Sequence, residues 1–232
     1  MKSRRLPHRI VALVLQALVA WTCCECSSLR AVEPSHRREL ESKVKELTAK
    51  AAKGDGASQL KLAMLYTDLK LPKKALPWFR RAAEKGYQDA QAELGFYYMN
   101  GGPVAVDREE GAKWFRKAAE FGHVVAQFNM GSCYGAGLGV KRNPSLAVQW
   151  YRAAADQGCV DAQYALGVLY GRGEGVPQDY VQSYAWVSLA ADHGLPEARK
   201  SLEVLQHVMT PAQLAQARKH VEASDAPATG AK

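Results

Sequence analysis

The sequence predicts an all-α chain, a right-handed superhelical solenoid of antiparallel helix pairs, and three observations carry that prediction. First, one 36-residue unit recurs three times between Tyr87 and Gly194, as YQDAQAELGFYYMNGGPVAVDREEGAKWFRKAAEFG, HVVAQFNMGSCYGAGLGVKRNPSLAVQWYRAAADQG and CVDAQYALGVLYGRGEGVPQDYVQSYAWVSLAADHG. Second, the columns do not drift: Trp114, Trp150 and Trp186 are 36 apart, as are Gly122, Gly158 and Gly194, and Tyr98, Tyr134 and Tyr170. Third, apolar residues inside each unit fall at helical spacing, as in Ala90, Leu94, Gly95 and Tyr98. A unit of this size buries its apolar face only by stacking on a neighbour.

In chain order, residues 1–9 are basic and Ile10 to Ala20 is an apolar run of 11, the layout of a secretory signal. The run is too short for a transmembrane helix, which needs about 20 apolar residues. Residues 1–33 are therefore expected to be a leader, giving an exported chain, periplasmic or secreted. Cys23, Cys24 and Cys26 end this stretch. Cys23 is the candidate for lipidation and a lipid anchor, although Trp21 and Thr22 beside it are poor neighbours for that chemistry. Residues 34–54 carry Leu40, Val44 and Leu47 at helical spacing on a charged background, as a capping helix requires.

The solenoid itself is expected over 55–224, with units at about 55–86, 87–122, 123–158 and 159–194 and a partial repeat and cap at 195–224. The first unit is four residues short between Tyr66 and Trp78, which predicts a tight turn in place of the glycine-bearing loop. Pro77 is expected to kink the following helix or delay its start. In the full units Asp107, Asn143 and Asp179 share a column of strong N-caps, and Asp107 with Glu110 has capping-box spacing. The second helices carry the tryptophan, then paired alanines, and end at a C-cap glycine. The Gly95, Gly131 and Gly167 column allows close approach of the paired helix. Thr210 and Pro211 are placed to start a last helix reaching about Ala223, and 225–232 is expected to be a disordered tail.

The pattern A-Q-x-x-L/M-G-x-x-Y-G-x-G-x-G-V-x-x-D/N, followed by W-x-x-x-A-A-x-x-G, resembles the Sel-one-like repeat (SLR) family, relatives of the tetratricopeptide repeats. It covers about residues 55–224 and is clearest in the third and fourth units; GVPQDYVQSYAWVSLAADHG with MTPAQLAQA resembles bacterial exported members. The resemblance implies a curved array of helix pairs acting as a protein-interaction adaptor, often in the cell envelope. A cysteine-rich branch of the family is associated with β-lactam binding and hydrolysis and has paired cysteines in each repeat, a pairing this chain lacks.

Catalytic motifs are missing from the sequence. The Gly135-x-Gly137-x-Gly139 and Gly171-x-Gly173-x-Gly175 runs follow helices rather than strands, so dinucleotide binding is not indicated. His123, His193, His207 and His220 have no carboxylate or cysteine at ligand spacing, and neither cofactor nor metal is expected. Cys133 shares a column with Leu65, Tyr97 and Leu169 and reads as a buried hydrophobe; Cys133 and Cys159 are too far apart along the helix axis to bridge. The net charge of +8 is modest. The column Arg80, Arg116 and Arg152 is expected to pair with Glu84, Glu120 and Asp156 four residues on, which argues against nucleic acid.

The partner is expected on the inner, concave surface lined by the first helices. Its candidate residues are Lys61, Glu93, Phe96, Asn100, Phe128, Asn129, Tyr164 and Arg172, with the aromatic ones as anchors. The function read from the sequence is a non-catalytic scaffold holding a protein or peptide, another envelope protein. The alternatives are a β-lactam-binding or hydrolysing envelope enzyme and a small-ligand or glycan-binding module.

Overall fold

A computed structural model describes residues 34–225, with side chains described between 39 and 221. The leader and Cys23 lie outside these residues, as do the positions after Asp225. Eleven helices and no strand occur among the described residues: α1 Pro34–Ala52, α2 Gly56–Asp68, α3 Pro72–Glu84, α4 Gln88–Asn100, α5 Arg108–Glu120, α6 Val124–Ala136, α7 Pro144–Ala155, α8 Val160–Arg172, α9 Tyr180–Asp192, α10 Pro196–Val208 and α11 Pro211–Asp225. The chain is all-α and built of helix pairs, as the repeat predicts.

The chain divides into two compact units, one ending at Val106 and the other beginning at Asp107. In the first, α1 lays Leu47 and Ala51 on Leu62, with Val44, Leu65, Tyr66 and Trp78 around them. In the second, Leu166 with Val148, Ala154, Ala155 and Ala162 makes one core, and Tyr184, Val187, Leu205, Met209 and Ala217 make another. The paired alanines are buried to within a few per cent in every second helix, which lets these helices pack closely on their neighbours.

Helix ends follow the sequence. Asn143 and Asp179 accept backbone N–H bonds from Leu146 (3.1 Å) and Gln182 (3.0 Å). Asp107 caps Glu110 N at 3.0 Å, but the Glu110 carboxylate lies 3.4 Å from Lys113, so only half of the expected capping box forms. The complete box belongs to α11, where Thr210 and Gln213 bond each other's backbone N–H. At each second-helix C-terminus the glycine has φ between 85° and 90° and the next N–H closes on a carbonyl one turn back, as in His123 to Ala118 at 3.1 Å.

One local expectation changes and another is met. Pro77 sits inside α3 and does not delay its start, which lies at Pro72. It falls beyond the first turn, yet the helix is held by Ala75, Phe79, Ala82 and Ala83, all buried, and packing outweighs one missing hydrogen bond. The short turn before it does without glycine: Lys70 takes the left-handed conformation (φ 56°), and Leu71 N–H reaches Tyr66 O at 2.8 Å. Asn143 and Asp179 N–H reach the carbonyls of Tyr134 and Tyr170 in the same way across four more residues (2.8 and 2.9 Å).

Candidate functional site

The expected partner-binding residues fall in both compact units. Lys61 on α2 is exposed, and on α4 Phe96 and Asn100 are accessible while Glu93 is half-buried. Burial, then the Asp89 charge, pushes the Glu93 carboxyl above its ordinary value. Asn100 Nδ2 donates to Phe96 O at 3.2 Å, a local bond that occupies its amide. Met64 and Phe96 are the exposed large hydrophobic residues on this unit's first helices.

In the unit beginning at Asp107, α6 and α8 bring Phe128 and Tyr164 into one cleft of about 490 Å³. Its walls are mainly apolar, with Ala136, Ala165 and Val168 on the first helices, Leu138 in the loop and Ala147 on α7, and Ser132, Arg142, Asp161 and Glu174 add polar groups to the lining. Tyr151, from the second helix α7, leans on Phe128 with ring centroids 5.6 Å apart and shares a hydrogen bond with Ser132 at 3.1 Å. Burial pushes the Tyr151 phenol above its ordinary value. Tyr164 shares a hydrogen bond between its hydroxyl and Ser201 Oγ of α10 at 3.1 Å, which anchors the ring at its outer end. Asn129 turns away, donating to Val125 O at 2.7 Å. Arg172 lies 3.7 Å from Glu174, whose other oxygen is 3.6 Å from Arg142 at the cleft's rim. Such a site can hold an apolar side chain among aromatic rings and orient its backbone at a polar edge.

Tyr151 is the aromatic cleft residue that reasoning from first helices alone misses. The signal was present: its column holds Phe79 and Phe115, each 1% exposed, and Val187. A hydroxyl in a column of buried phenylalanines asks for a polar outlet.

The arginine column also differs from expectation. Among the described residues Arg80, Arg116 and Arg152 form no ion pair with Glu84, Glu120 or Asp156. Each guanidinium instead donates to a tyrosine hydroxyl 18 residues on: Tyr98 (2.9 Å), Tyr134 (2.8 Å) and Tyr170. Each also lies over that ring, 5.7 to 6.0 Å from its centre. An exposed i,i+4 pair contributes only a few tenths of a kcal/mol, so a ring contact with a hydrogen bond wins. A second unforeseen column is Gln59, Gln91, Gln127 and Gln163, buried, each donating to an alanine carbonyl eight residues back at 3.0 to 3.3 Å. These bonds satisfy carbonyls at the preceding helix end.

Cys133 and Cys159 are unpaired, as the spacing predicts, and burial pushes the Cys133 thiol up to about 11. It is a packing residue rather than a nucleophile. Among the described residues no group of three His, Cys, Asp or Glu side chains could hold a metal ion, and no helix is long and apolar enough to cross a membrane.

The Sel1 repeat family model matches residues 56–87, 88–123, 124–159 and 160–195. Among solved structures, the chain is similar to a Sel1 repeat protein from Oxalobacter formigenes, with 30% identity over 78% of this chain and 82% of that one and a TM-score of 0.67. It is also similar to c5321, a protective antigen present in uropathogenic Escherichia coli strains displaying an SLR fold, at 26% identity and a TM-score of 0.52. That match covers 95% of this chain and 56% of the longer E. coli protein. A comparison with curated protein sequences returned no match. Sel1 repeat proteins generally mediate protein–protein interaction and are typically non-catalytic scaffolds. Four tandem matches, a relative of this identity and a helix-pair architecture with the repeat's own caps together establish that the chain belongs to the Sel1 repeat family.

Proposed function

We propose that the protein is a non-catalytic scaffold of the bacterial cell envelope that holds a segment of a partner protein against its first helices. The observation that supports this most is the cleft between α6 and α8, where Phe128, Tyr151 and Tyr164 enclose about 490 Å³ of apolar space behind a polar rim. Aromatic anchors beside a pocket of this size are what protein and peptide interfaces concentrate their affinity on. The basic, then apolar, leader supports export. Lys61, Glu93, Phe96 and Asn100 belong to the same proposal as a second contact region on α2 and α4.

The test is capture from an envelope extract with immobilised protein, comparing wild type with the Phe128→Ala/Tyr164→Ala double variant and with Val168→Glu. Val168→Glu places a charge in the cleft while leaving both rings. Both variants should lose a partner that the wild type retains, at unchanged helical circular dichroism. Retention by both would refute the assignment.

A further inference from the structure

A second cleft, of about 470 Å³, opens on the loop between α6 and α7 and differs in character from the first: its lining holds Arg116, Lys141 and Arg142 and no carboxylate. Two of the cations are fixed. Arg116 donates to the Tyr134 hydroxyl at 2.8 Å, and Arg142 Nε donates to Gly135 O at 3.0 Å. Among the described residues neither Arg116 nor Lys141 makes an ion pair, and Arg142 is engaged only at its edge, 3.6 Å from Glu174. The next unit keeps the arginine–tyrosine pair as Arg152 and Tyr170 but places Pro177, Gln178 and Asp179 where Lys141, Arg142 and Asn143 stand. The repeat frame therefore does not require the cations. Three like charges gathered in one concavity repel one another and gain from an anion brought among them.

Arg142 lines both clefts, so the cation-lined space adjoins the aromatic one at that residue, while Asp161 and Glu174 belong to the aromatic cleft's lining. Resting on the reading of the first cleft as a partner site, we propose that the partner segment is acidic. An apolar side chain enters between Phe128 and Tyr164, and carboxylates on the neighbouring stretch of the same segment lie among Arg116, Lys141 and Arg142. Guanidinium groups that are already oriented suit carboxylate oxygens, because two N–H bonds form without further ordering. A polynucleotide fits less well. Phe128 and Tyr151 pack on each other at 5.6 Å instead of presenting free faces for stacked bases.

The experiment selects a random peptide library against the full chain, then measures the affinity of the recovered peptides by fluorescence anisotropy for wild type, Lys141→Glu, Arg116→Gln and Phe128→Ala/Tyr164→Ala. Recovered peptides should combine Asp or Glu with an adjacent apolar residue, weaken with added salt, and lose about tenfold in affinity in Lys141→Glu. Lys141 lies exposed in a loop, so this variant tests charge without touching the core. Recovered peptides without acidic enrichment, or affinities unchanged by both Lys141→Glu and Arg116→Gln, overturn the proposal. If those peptides still depend on Phe128 and Tyr164, the scaffold reading stands without it; recovery of no peptide overturns both. A single-stranded oligonucleotide that displaces the acidic peptide at equal concentration would show that the cleft reads phosphate, and also overturns it.

Discussion

In the pair α6–α7 the column one place beyond the tryptophan holds Tyr151; in α8–α9 it holds Val187. The glycines opposite register the difference. The three atoms nearest to a β-carbon on Gly131 would all belong to the Tyr151 ring, at 2.6 to 2.8 Å. One on Gly167 would meet Val187 Cγ2 at 2.6 Å and also the backbone, Ser183 O and Val187 N, both at 3.2 Å. With valine in the column the two backbones come together and the glycine is needed for backbone contact. With tyrosine the ring stands between them, leans out onto Phe128 and becomes a wall of the cleft. Equivalent frames thus differ in the cavity they leave through the size of one side chain.

The frame itself gives the largest expected effect. Gly175, at the tip of the loop between α8 and α9, has φ 79°, and a β-carbon there would overlap the Pro144 carbonyl and lie 2.8 Å from Ser145 N. Ser145 Oγ donates to Gly175 O at 3.1 Å, tying the loop to the start of α7. Gly175→Ala therefore combines overpacking against backbone with a left-handed conformation, and should cost about 3 kcal/mol or more in urea unfolding. A loss below about 1 kcal/mol would show that the loop is free to move off α7. The two column glycines come next. Gly167→Ala should destabilise by about 1–2 kcal/mol, the overpacking cost less the gain in helix propensity. Gly131→Ala should cost less, because the Tyr151 ring can yield into the cleft; equal losses would mean that the two pairs are equally tight.

Much of this frame was legible before any coordinates. Caps, C-terminal glycines and helix pairing follow from local chemistry repeated at a fixed period, so Asn143, Asp179 and the Gly86, Gly122, Gly158 and Gly194 column announce themselves. What was not legible depends on which of two available partners a side chain takes. Arg80, Arg116 and Arg152 had a carboxylate at i+4 and a tyrosine at i+18; only the stacking of one helix on the next decides for the tyrosine. A constant spacing between two columns was the clue, since fixed columns meet in every unit or in none. The cleft was half legible: Phe128 and Tyr164 stand out on first helices, whereas Tyr151 and Arg142 reach it from a second helix and a loop.

A more direct break of the comparison is Tyr151→Val, which gives α6–α7 the residue that α8–α9 has. The ring's contact with Phe128 and its bond to Ser132 disappear, so stability should fall by about 1–3 kcal/mol. Partner retention in the capture assay should fall with it, since the cleft loses a wall. Tyr151→Phe separates the two effects: it keeps the wall and removes only the hydroxyl, so binding should survive. A binding loss in Tyr151→Phe as large as in Tyr151→Val would place the hydroxyl, rather than the cavity, at the centre of recognition.

The smallest effect concerns the column Glu93, Asn129 and Ala165, which carries the comparison to α4 in the other compact unit. Glu93 is half-buried, and desolvation with the nearby Asp89 raises its carboxyl above 4.5. A raised carboxylate binds its proton more tightly in the folded chain than in the unfolded one. Its contribution to stability is therefore fully present below pH 4.5 and is lost as pH rises through the folded value. Glu93→Gln removes that loss. The variant should melt at the same temperature as wild type or slightly above it at neutral pH, with the difference shrinking as the buffer is acidified toward pH 4.5. A variant less stable at neutral pH would mean that the ionised carboxylate is stabilised by the fold. Glu93 would then be part of the frame and not a carboxylate held available for a partner's cation.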